Sequence, residues 1–279
     1  MLLEVLDEAL LHSVRMALSE DVGSGDLTAA LIPADRIARA TVLCREPAIL
    51  CGTAWFNAVF AELDTAISIR WDTRDGAAIQ AGEHLCELRG PAATLLSGER
   101  TALNFLQTLS GTASRARRYA DAVAGLPVKI LDTRKTIPGL RQAQKYAVRT
   151  GGCHNHRMGL YDGILIKENH IAVTGSIRQA VQAARISSPG IRVEVEVESR
   201  EQITEAVAAG ADILLLDNFS LQDLAAAVTQ VAGRTRLEAS GGITLDNVRE
   251  VALTGVDYIS TGALTKNLHA IDLSMRFLP

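Results

Sequence analysis

The sequence predicts an α/β protein in which a mixed N-terminal region precedes an open or incomplete α/β barrel. From about residue 113 onward, apolar strand-like runs alternate with amphipathic helical segments, a pattern typical of βα units. About six such strands are found, fewer than the eight of a closed barrel. Before that point, short strand-like runs separated by glycines indicate a small α+β unit built on an antiparallel sheet.

These two patterns predict two domains. An α/β sandwich-like domain covers residues 1–112, and the barrel covers residues 113–270, with the tail 271–279 able to pack back on the first domain. The first domain opens with an amphipathic helix. Its regularly spaced apolar residues are Leu3, Leu6, Leu10, Val14 and Leu18.

Composition excludes several classes of protein. Hydrophobic residues make up 48% of the 279 residues and charged residues 22%, which is ample for a core. Aromatic residues reach only 4% and the formal net charge is -4, which argues against a nucleic-acid binder. No signal peptide or membrane-length apolar run is found, so we expect a soluble cytoplasmic protein. Cysteines at positions 44, 51, 86 and 153 lack disulfide or zinc spacing and are expected to be free thiols.

Five basic side chains are predicted to gather at the mouth of the barrel. Arg134 and Lys135 follow the strand-like run VKILD, and Lys167 follows GILIK. His156 and Arg157 lie in the loop between these runs. Because the chain as a whole is acidic, such a local group of cations favours a site for a polyanionic small molecule.

Acidic residues are predicted at the same end of the barrel. In RVEVEVES, strict alternation places Glu194, Glu196 and Glu198 on one face of a strand. An edge strand with a solvated face would explain the pattern, but helices on the other face would direct these acids inward, towards cations or a metal. Asp217 ends the run DILLLD, where barrel enzymes keep catalytic groups, although it could also cap the next helix.

Two glycine-containing turns follow the last two predicted strands. Ser240 precedes Gly241 and Gly242, and Thr261 precedes Gly262. Each could be an ordinary βα turn, but as a pair they are typical of a phosphate cradle in which backbone N–H groups approach the anion. Together with the acids and the arginine forks, they indicate a sugar phosphate, a metal and a second substrate that carries more than one carboxylate.

Arg100 lies in the predicted helix SGERTALNFLQ, among apolar residues. A cation in that position is either half-buried and paired within the chain or displayed to a neighbouring molecule. The sequence of this helix alone leaves both interpretations open.

Over nearly its whole length the chain resembles the quinolinate phosphoribosyltransferase family. The stretches DTRKTIPGLRQAQKYAVRTGG and NHRMGLYDGILIKENHI are followed by VEVEVE, LLLDNF, EASGGI and STGALT in the family's order. EDVGSGDLT and GERTALNFLQTLSGTA match its N-terminal half. The chain departs from some relatives at Cys153, where they have a third glycine, and after GALT, where Lys266 and Asn267 replace a histidine.

The resemblance implies a type II phosphoribosyltransferase-like fold and transfer of phosphoribosyl from phosphoribosyl pyrophosphate to quinolinate, with decarboxylation, in NAD biosynthesis. The products would be nicotinate mononucleotide, pyrophosphate and CO2. It implies Mg2+ as cofactor and a homodimer or higher homo-oligomer in which one subunit donates Arg100 to its partner's site. It assigns the dicarboxylate pocket to Arg134, Lys135, His156, Arg157 and Lys167, the ribose hydroxyls and Mg2+ to Glu196 and Asp217, and the 5′-phosphate to Ser240, Gly241 and Gly262. The catalytic residues would be Lys135, Glu196 and Asp217.

Two other functions fit parts of the pattern. A paralogue could use a related pyridine or another nitrogenous acceptor, in which case nicotinate would serve as well as quinolinate. A non-catalytic phosphometabolite sensor could use the same scaffold, but it would not need acids beneath the sugar such as Glu196 and Asp217.

Overall fold

The structure, a computed structural model, describes the backbone of residues 2–279 and the side chains of residues 8–279. Its strands are β1 (Ile37–Cys44), β2 (Ala48–Ile49), β3 (Ser68–Trp71), β4 (Ala78–Ile79), β5 (His84–Pro91), β6 (Lys129–Leu131), β7 (Ile164–Ile166), β8 (Val193–Val197), β9 (Ile213–Asp217), β10 (Arg236–Ser240), β11 (Tyr258–Ser260) and β12 (Leu273–Leu278). Its helices are α1 (Leu2–Asp21), α2 (Thr53–Leu63), α3 (Ala92–Ala122), α4 (Arg141–Thr150), α5 (Glu168–Thr174), α6 (Ile177–Ser187), α7 (Arg200–Ala209), α8 (Leu221–Val231), α9 (Val248–Leu253) and α10 (Ala263–Lys266).

The first compact unit contains the residues up to Arg117, Ile137–Gly152 and Asn267–Pro279. Its main sheet is antiparallel, with strand order β12-β1-β5-β3. Aromatic side chains of α2 pack in its core, where the Phe56 ring lies 5.2 Å from the Phe60 ring and 5.3 Å from the Trp71 ring. From α1, Val14 is fully buried in this core. The predicted packing of Leu3 and Leu6 lies outside the described side chains.

The composition of this unit differs from a simple division of the chain at residue 112. Helix α4 belongs to it, although its position in the sequence suggested the barrel. The reason is that Ala143 and Ala147 on the apolar face of α4 are buried in the core of the first unit. Strand β12 of the C-terminal tail pairs with β1, with Leu278 opposite Arg39.

The second unit, Arg118–Thr136 and Cys153–Lys266, contains a six-stranded parallel sheet with strand order β6-β11-β10-β9-β8-β7. Its edge strands β6 and β7 do not pair with each other in this order, so the predicted fold class with an open α/β barrel is confirmed. A short segment lies along β6 at this gap. There the His154 N–H donates to the Ile130 carbonyl at 2.8 Å, and the Asp132 N–H donates to the His154 carbonyl at 3.0 Å.

Strand β8 shows how the sequence pattern orients side chains. Val193, Val195 and Val197 are fully buried, and α6 and α7 pack against the strand. Glu194 and Glu196 therefore lie on the opposite, inner face and are also buried, as predicted. The prediction that Glu198 shares this face is wrong, because the strand ends at Val197 and the chain turns into α7, leaving Glu198 exposed.

Two general features bear on the setting in which the protein works. In the described part of the chain, no helix is both long enough and apolar enough to cross a membrane. All four cysteines are buried free thiols, as the sequence predicted.

Candidate active site

A cavity of about 410 Å³ lies at the carboxyl ends of the parallel strands of the second unit, and we call it the carboxyl-end cavity. It is lined by Thr133, Arg134, Lys135, His156, Arg157, Leu165, Lys167, Glu196, Leu215, Asp217, Glu238, Ser240 and Ser260. Several of these residues are the last of a strand or follow it closely, so the parallel sheet brings together side chains that are far apart in sequence. The structure thus gathers most of the predicted site residues.

The cationic side of the cavity contains two guanidinium groups. Arg157 is partly buried, and its Nη1 donates to the Gly163 carbonyl at 3.1 Å. Burial lowers the pKa of Arg157, and the positive charge of Arg134 lowers it further. Because the positive charge of Arg134 disfavours that of Arg157, an anionic ligand close to both would stabilise the charged form of Arg157.

The backbone of Lys135 is held by two hydrogen bonds, and its side chain is exposed. Its carbonyl accepts a hydrogen bond from Thr265 Oγ1 at 2.7 Å, and its N–H donates to Thr133 Oγ1 at 3.1 Å. The ammonium group can therefore reach a ligand at the rim while the main chain stays in place.

The buried carboxylate of Asp132 orders the loop that carries His156. Asp132 accepts hydrogen bonds from the His156 N–H at 2.9 Å and from Asn155 Nδ2 at 2.5 Å. This arrangement directs the imidazole into the barrel, where His156 Nε2 lies 2.9 Å from Glu194 Oε2. The Arg157 N–H donates to His156 Nδ1 at 2.8 Å, so Nε2 carries the ring proton and donates a hydrogen bond to Glu194.

The acidic side of the cavity contains Glu196 and Asp217. Lys167 Nζ lies 2.5 Å from Glu196 Oε2. Burial raises the pKa of Glu196, and the negative charge of Asp217 adds to the rise, whereas Lys167 opposes it. Asp217 is oriented by Asn218, whose Nδ2 donates a hydrogen bond to Asp217 Oδ2 at 2.8 Å. The backbone of Asn218 lies in the left-handed region, with φ 57°. Such a conformation is uncommon outside glycine and clusters at functional sites.

Glu238 also lines this cavity, although the sequence did not single it out. The available signal was its position two residues before Ser240, which places both side chains on the same face of β10. Its Oε2 lies 3.6 Å from His156 Nε2. His156, Glu194 and Glu238 have the spacing of metal ligands, but Nε2 of His156 carries the ring proton because Nδ1 accepts a hydrogen bond from the Arg157 N–H. The tautomer therefore disfavours a metal there.

Neighbouring atoms approach closely at both predicted phosphate turns, which favours glycine there. A Cβ at Gly241, where φ is +92°, would lie 2.2 Å from Asn218 Oδ1. A Cβ at Gly262 would lie 2.8 Å from Lys135 Cδ and 3.3 Å from Thr133 Oγ1. Gly241 lines a small cavity next to the main one, and Gly262 touches the lysine that lines the main one.

We expect Gly262→Ala to lower kcat/KM for the phosphorylated substrate that the sequence predicts by about 10-fold, with little loss of thermal stability. The added methyl group would displace the Lys135 side chain. Loss of one charge-assisted contact of its ammonium group costs roughly 1–3 kcal/mol. Steady-state kinetics and thermal unfolding would test both parts.

A double-mutant cycle tests the cause of this effect. If the methyl group acts by displacing Lys135, adding Gly262→Ala to a Lys135→Ala protein should produce a much smaller further loss. Equal losses in both backgrounds would show that the methyl group acts elsewhere, for instance directly on a bound phosphate.

Arg100 lies on α3 in the first unit and is exposed. It is not among the residues that line the carboxyl-end cavity. Its donation to a partner subunit therefore stays a prediction.

Comparison with known proteins identifies the family of the chain. Residues 26–110 match the family described as quinolinate phosphoribosyl transferase, N-terminal domain, and residues 112–276 match the C-terminal domain of the same family. The chain belongs to the quinolinate phosphoribosyltransferase family. The family predicted from the sequence is thus confirmed.

Individual members of the quinolinate phosphoribosyltransferase family are similar over almost the full chain. A probable nicotinate-nucleotide pyrophosphorylase (carboxylating) of Bacillus subtilis is 44% identical over 257 residues, covering 92% of this chain and 89% of the relative. The corresponding protein of Mycobacterium leprae is 40% identical and covers 96% of this chain and 97% of the relative. The structure of the nicotinate-nucleotide pyrophosphorylase from Francisella tularensis superposes with a TM-score of 0.94 at 45% identity, covering 97% of this chain and 96% of the other.

Proposed function

We propose that this protein transfers phosphoribosyl from phosphoribosyl pyrophosphate to quinolinate and releases pyrophosphate, CO2 and nicotinate mononucleotide, a step of NAD biosynthesis. The observation that carries the proposal is that one cavity, in a chain of this family, is lined both by the cations Arg134 and Arg157 and by the acids Glu196 and Asp217. A dicarboxylate fits the first and an activated ribose fits the second.

The cationic side is proposed to bind quinolinate. Arg134 and Arg157 can each hold a carboxylate through a planar fork, which selects an acceptor with two carboxylates over one with a single carboxylate. His156, Lys135 and Lys167 would complete this pocket. Their main contribution is to hold the pyridine nitrogen in line with the ribose C1 atom.

The acidic side is proposed to bind the ribose. Glu196 and Asp217 lie beneath the place where C1 gains positive charge as pyrophosphate departs, and their carboxylates stabilise that charge. Ser240, Gly241 and Gly262 would hold the 5′-phosphate at the two close-approach turns. Lys135 at the rim would neutralise the departing pyrophosphate.

Mg2+ is the proposed cofactor, and the donor set fits it. Glu196 and Asp217 provide hard oxygen donors, and burial, with a smaller contribution from the negative charge of Asp217, raises the pKa of Glu196. When bound, Mg2+ would stabilise the ionised form of Glu196 and the charge of the pyrophosphate.

A dimer is proposed in which the partner supplies Arg100. On the first unit, Leu27 and Leu31 are 89% and 82% exposed, and Leu96 lies one helical turn before Arg100 on α3. A hydrogen bond of 2.8 Å from Ser97 Oγ to Asp26 Oδ2 joins the loop of these leucines to the helix. The apolar surface next to an exposed arginine fits contact with a second copy of the chain.

The four free thiols fit the proposed cytoplasmic location.

The overall reaction can be measured directly. We expect the purified protein to release CO2 and pyrophosphate in equal amounts when it is given quinolinate, phosphoribosyl pyrophosphate and Mg2+, and to lose this activity when the metal is chelated. Release of 14C-labelled CO2 and a coupled pyrophosphate assay would measure both products.

Nicotinate serves as the matched control, because it lacks the second carboxylate. Turnover of nicotinate equal to that of quinolinate would reject the proposed acceptor, and absence of turnover with either acid would reject phosphoribosyl transfer to these pyridines.

A further inference from the structure

A second cavity, of about 480 Å³, lies at the opposite end of the same strands, and we call it the amino-end cavity. Its lining includes Lys129, Ile213 and Tyr258, which are the first residues of β6, β9 and β11. Only His156, Arg157 and Glu238 line both cavities within the described part of the chain. These three side chains therefore form the layer between the two ends of the barrel.

Glu238 is the carboxyl group of this layer, and it is fully buried. Glu238 is 0% exposed, and no described residue makes a hydrogen bond of full geometry to either of its oxygens, although Ser260 and Glu194 lie near enough to affect its pKa. Glu194 lies beside it on β8 and is also buried. Leaving an ionised carboxylate in such surroundings costs several kcal/mol, whereas the protonated form costs far less.

The charges around Glu238 favour its protonated form. Burial has the largest effect, and together with the negative charge of Glu194 it raises the pKa of Glu238 to about 8, against the opposing effects of His156 and Ser260. A dianionic substrate in the carboxyl-end cavity would favour the protonated form of Glu238 further. The layer therefore presents a neutral acid to the substrate at neutral pH.

The proposed reaction requires such an acid, and the following inference rests on that proposed function. When the pyridine 2-carboxylate leaves as CO2, the electron pair of the broken bond stays on the ring carbon, and that carbon must gain a proton. The carboxylate of Glu196 is paired with Lys167, and Asp217 is assigned to the ribose. Neither Glu196 nor Asp217 is therefore available to donate this proton.

We propose that the carboxyl group of Glu238 donates this proton to the pyridine C2 atom, and that water in the amino-end cavity returns a proton to Glu238. In the donation step the carboxyl O–H bond breaks, a C2–H bond forms and Glu238 becomes a carboxylate. That carboxylate then takes a proton from water, so that the net proton comes from solvent. CO2 held beside the carbanion can add back to it until the carbon is protonated, so net release of CO2 depends on this donor.

A single-turnover experiment with Glu238→Gln tests the proposal, because glutamine keeps the shape of the side chain and removes the acidic proton. We expect pyrophosphate release to stay within about 2-fold of the wild-type rate while CO2 release slows by about 10²-fold or more. The N-ribosylated pyridine dicarboxylate should then accumulate and be detected by mass spectrometry of the quenched reaction. Glu238→Asp, which keeps an acidic proton, should recover part of the CO2 release.

The two products separate the possible outcomes. Equal slowing of pyrophosphate and CO2 would indicate a structural or binding role and overturn the proposal, as would wild-type rates for both products. Should Glu238→Gln fail to fold, the same comparison applies to Glu238→Asp, for which we expect a smaller slowing confined to CO2. If the wild-type protein itself releases neither product, that result rejects the proposed function, and the role of Glu238 in proton transfer is then rejected with it on separate grounds from those above.

Discussion

Replacing Glu196 by glutamine is expected to lower kcat/KM by about 10²–10³-fold and to raise the Mg2+ concentration needed for half-maximal activity. The substitution removes a buried carboxylate from the acidic side of the carboxyl-end cavity and leaves Lys167, 2.5 Å away, without its anionic partner. Both effects make the site more positive where the ribose develops positive charge. Initial rates measured over a range of Mg2+ concentrations would show the loss.

Glu198→Gln provides the matched control, because Glu198 follows Glu196 by two residues but is exposed beyond the end of β8. We expect its kcat/KM to stay within about 2-fold of wild type, as is usual for a surface substitution. Equal effects of the two substitutions would show that the negative charge of the region matters and not the position of Glu196.

Mixing inactive Arg100→Ala protomers with inactive Lys135→Ala protomers is expected to restore about a quarter of the wild-type activity. In a two-fold symmetric dimer that borrows Arg100, each heterodimer has one site with both residues intact, and random mixing makes about half of the dimers heterodimers. Each single variant should lose about 10²-fold or more, because a guanidinium or ammonium contact to an anion is removed. Activity after co-refolding would be measured against the amount of heterodimer, quantified with two affinity tags.

The control for this experiment combines two variants of the same cavity. Arg134→Ala and Lys135→Ala both change residues that one chain supplies to its own site, so their heterodimers contain no complete site. No recovery is expected from that mixture. If the Arg100→Ala mixture also fails while heterodimers are present, each chain uses its own Arg100 or does not use it in the reaction.

The site residues at the ends of the barrel strands were predictable because charged side chains follow directly after apolar, strand-like runs in the sequence. Arg134 and Asp217 each end or follow a strand that the sequence marks clearly, and parallel strands bring such positions together. The buried Glu194 and Glu196 were predictable because strict alternation between covered valines leaves only the inner face. Local patterns were sufficient at these positions.

Other features depend on contacts between distant residues and were not predictable. Alternation does not show where a strand ends, which is why Glu198 was assigned to the wrong environment. The apolar face of α4 indicates burial but not the sheet that buries it. The sequence LEAS contains a single acid and does not show that the sheet brings Glu238 next to His156. The tautomer of His156 in turn depends on a hydrogen bond from the backbone of Arg157.

The gap between β6 and β7 has a consequence for how such a protein can diversify. The segment that lies along β6 carries His156 to the interior, and it is joined to the sheet by the bridge between Leu131 and His154 and by hydrogen bonds to Asp132. Insertions or deletions there could exchange the side chain that reaches the interior without shifting the register of any strand. Descendants of this chain could therefore acquire preference for a different heterocycle through changes in loop length, while the surrounding framework is inherited intact.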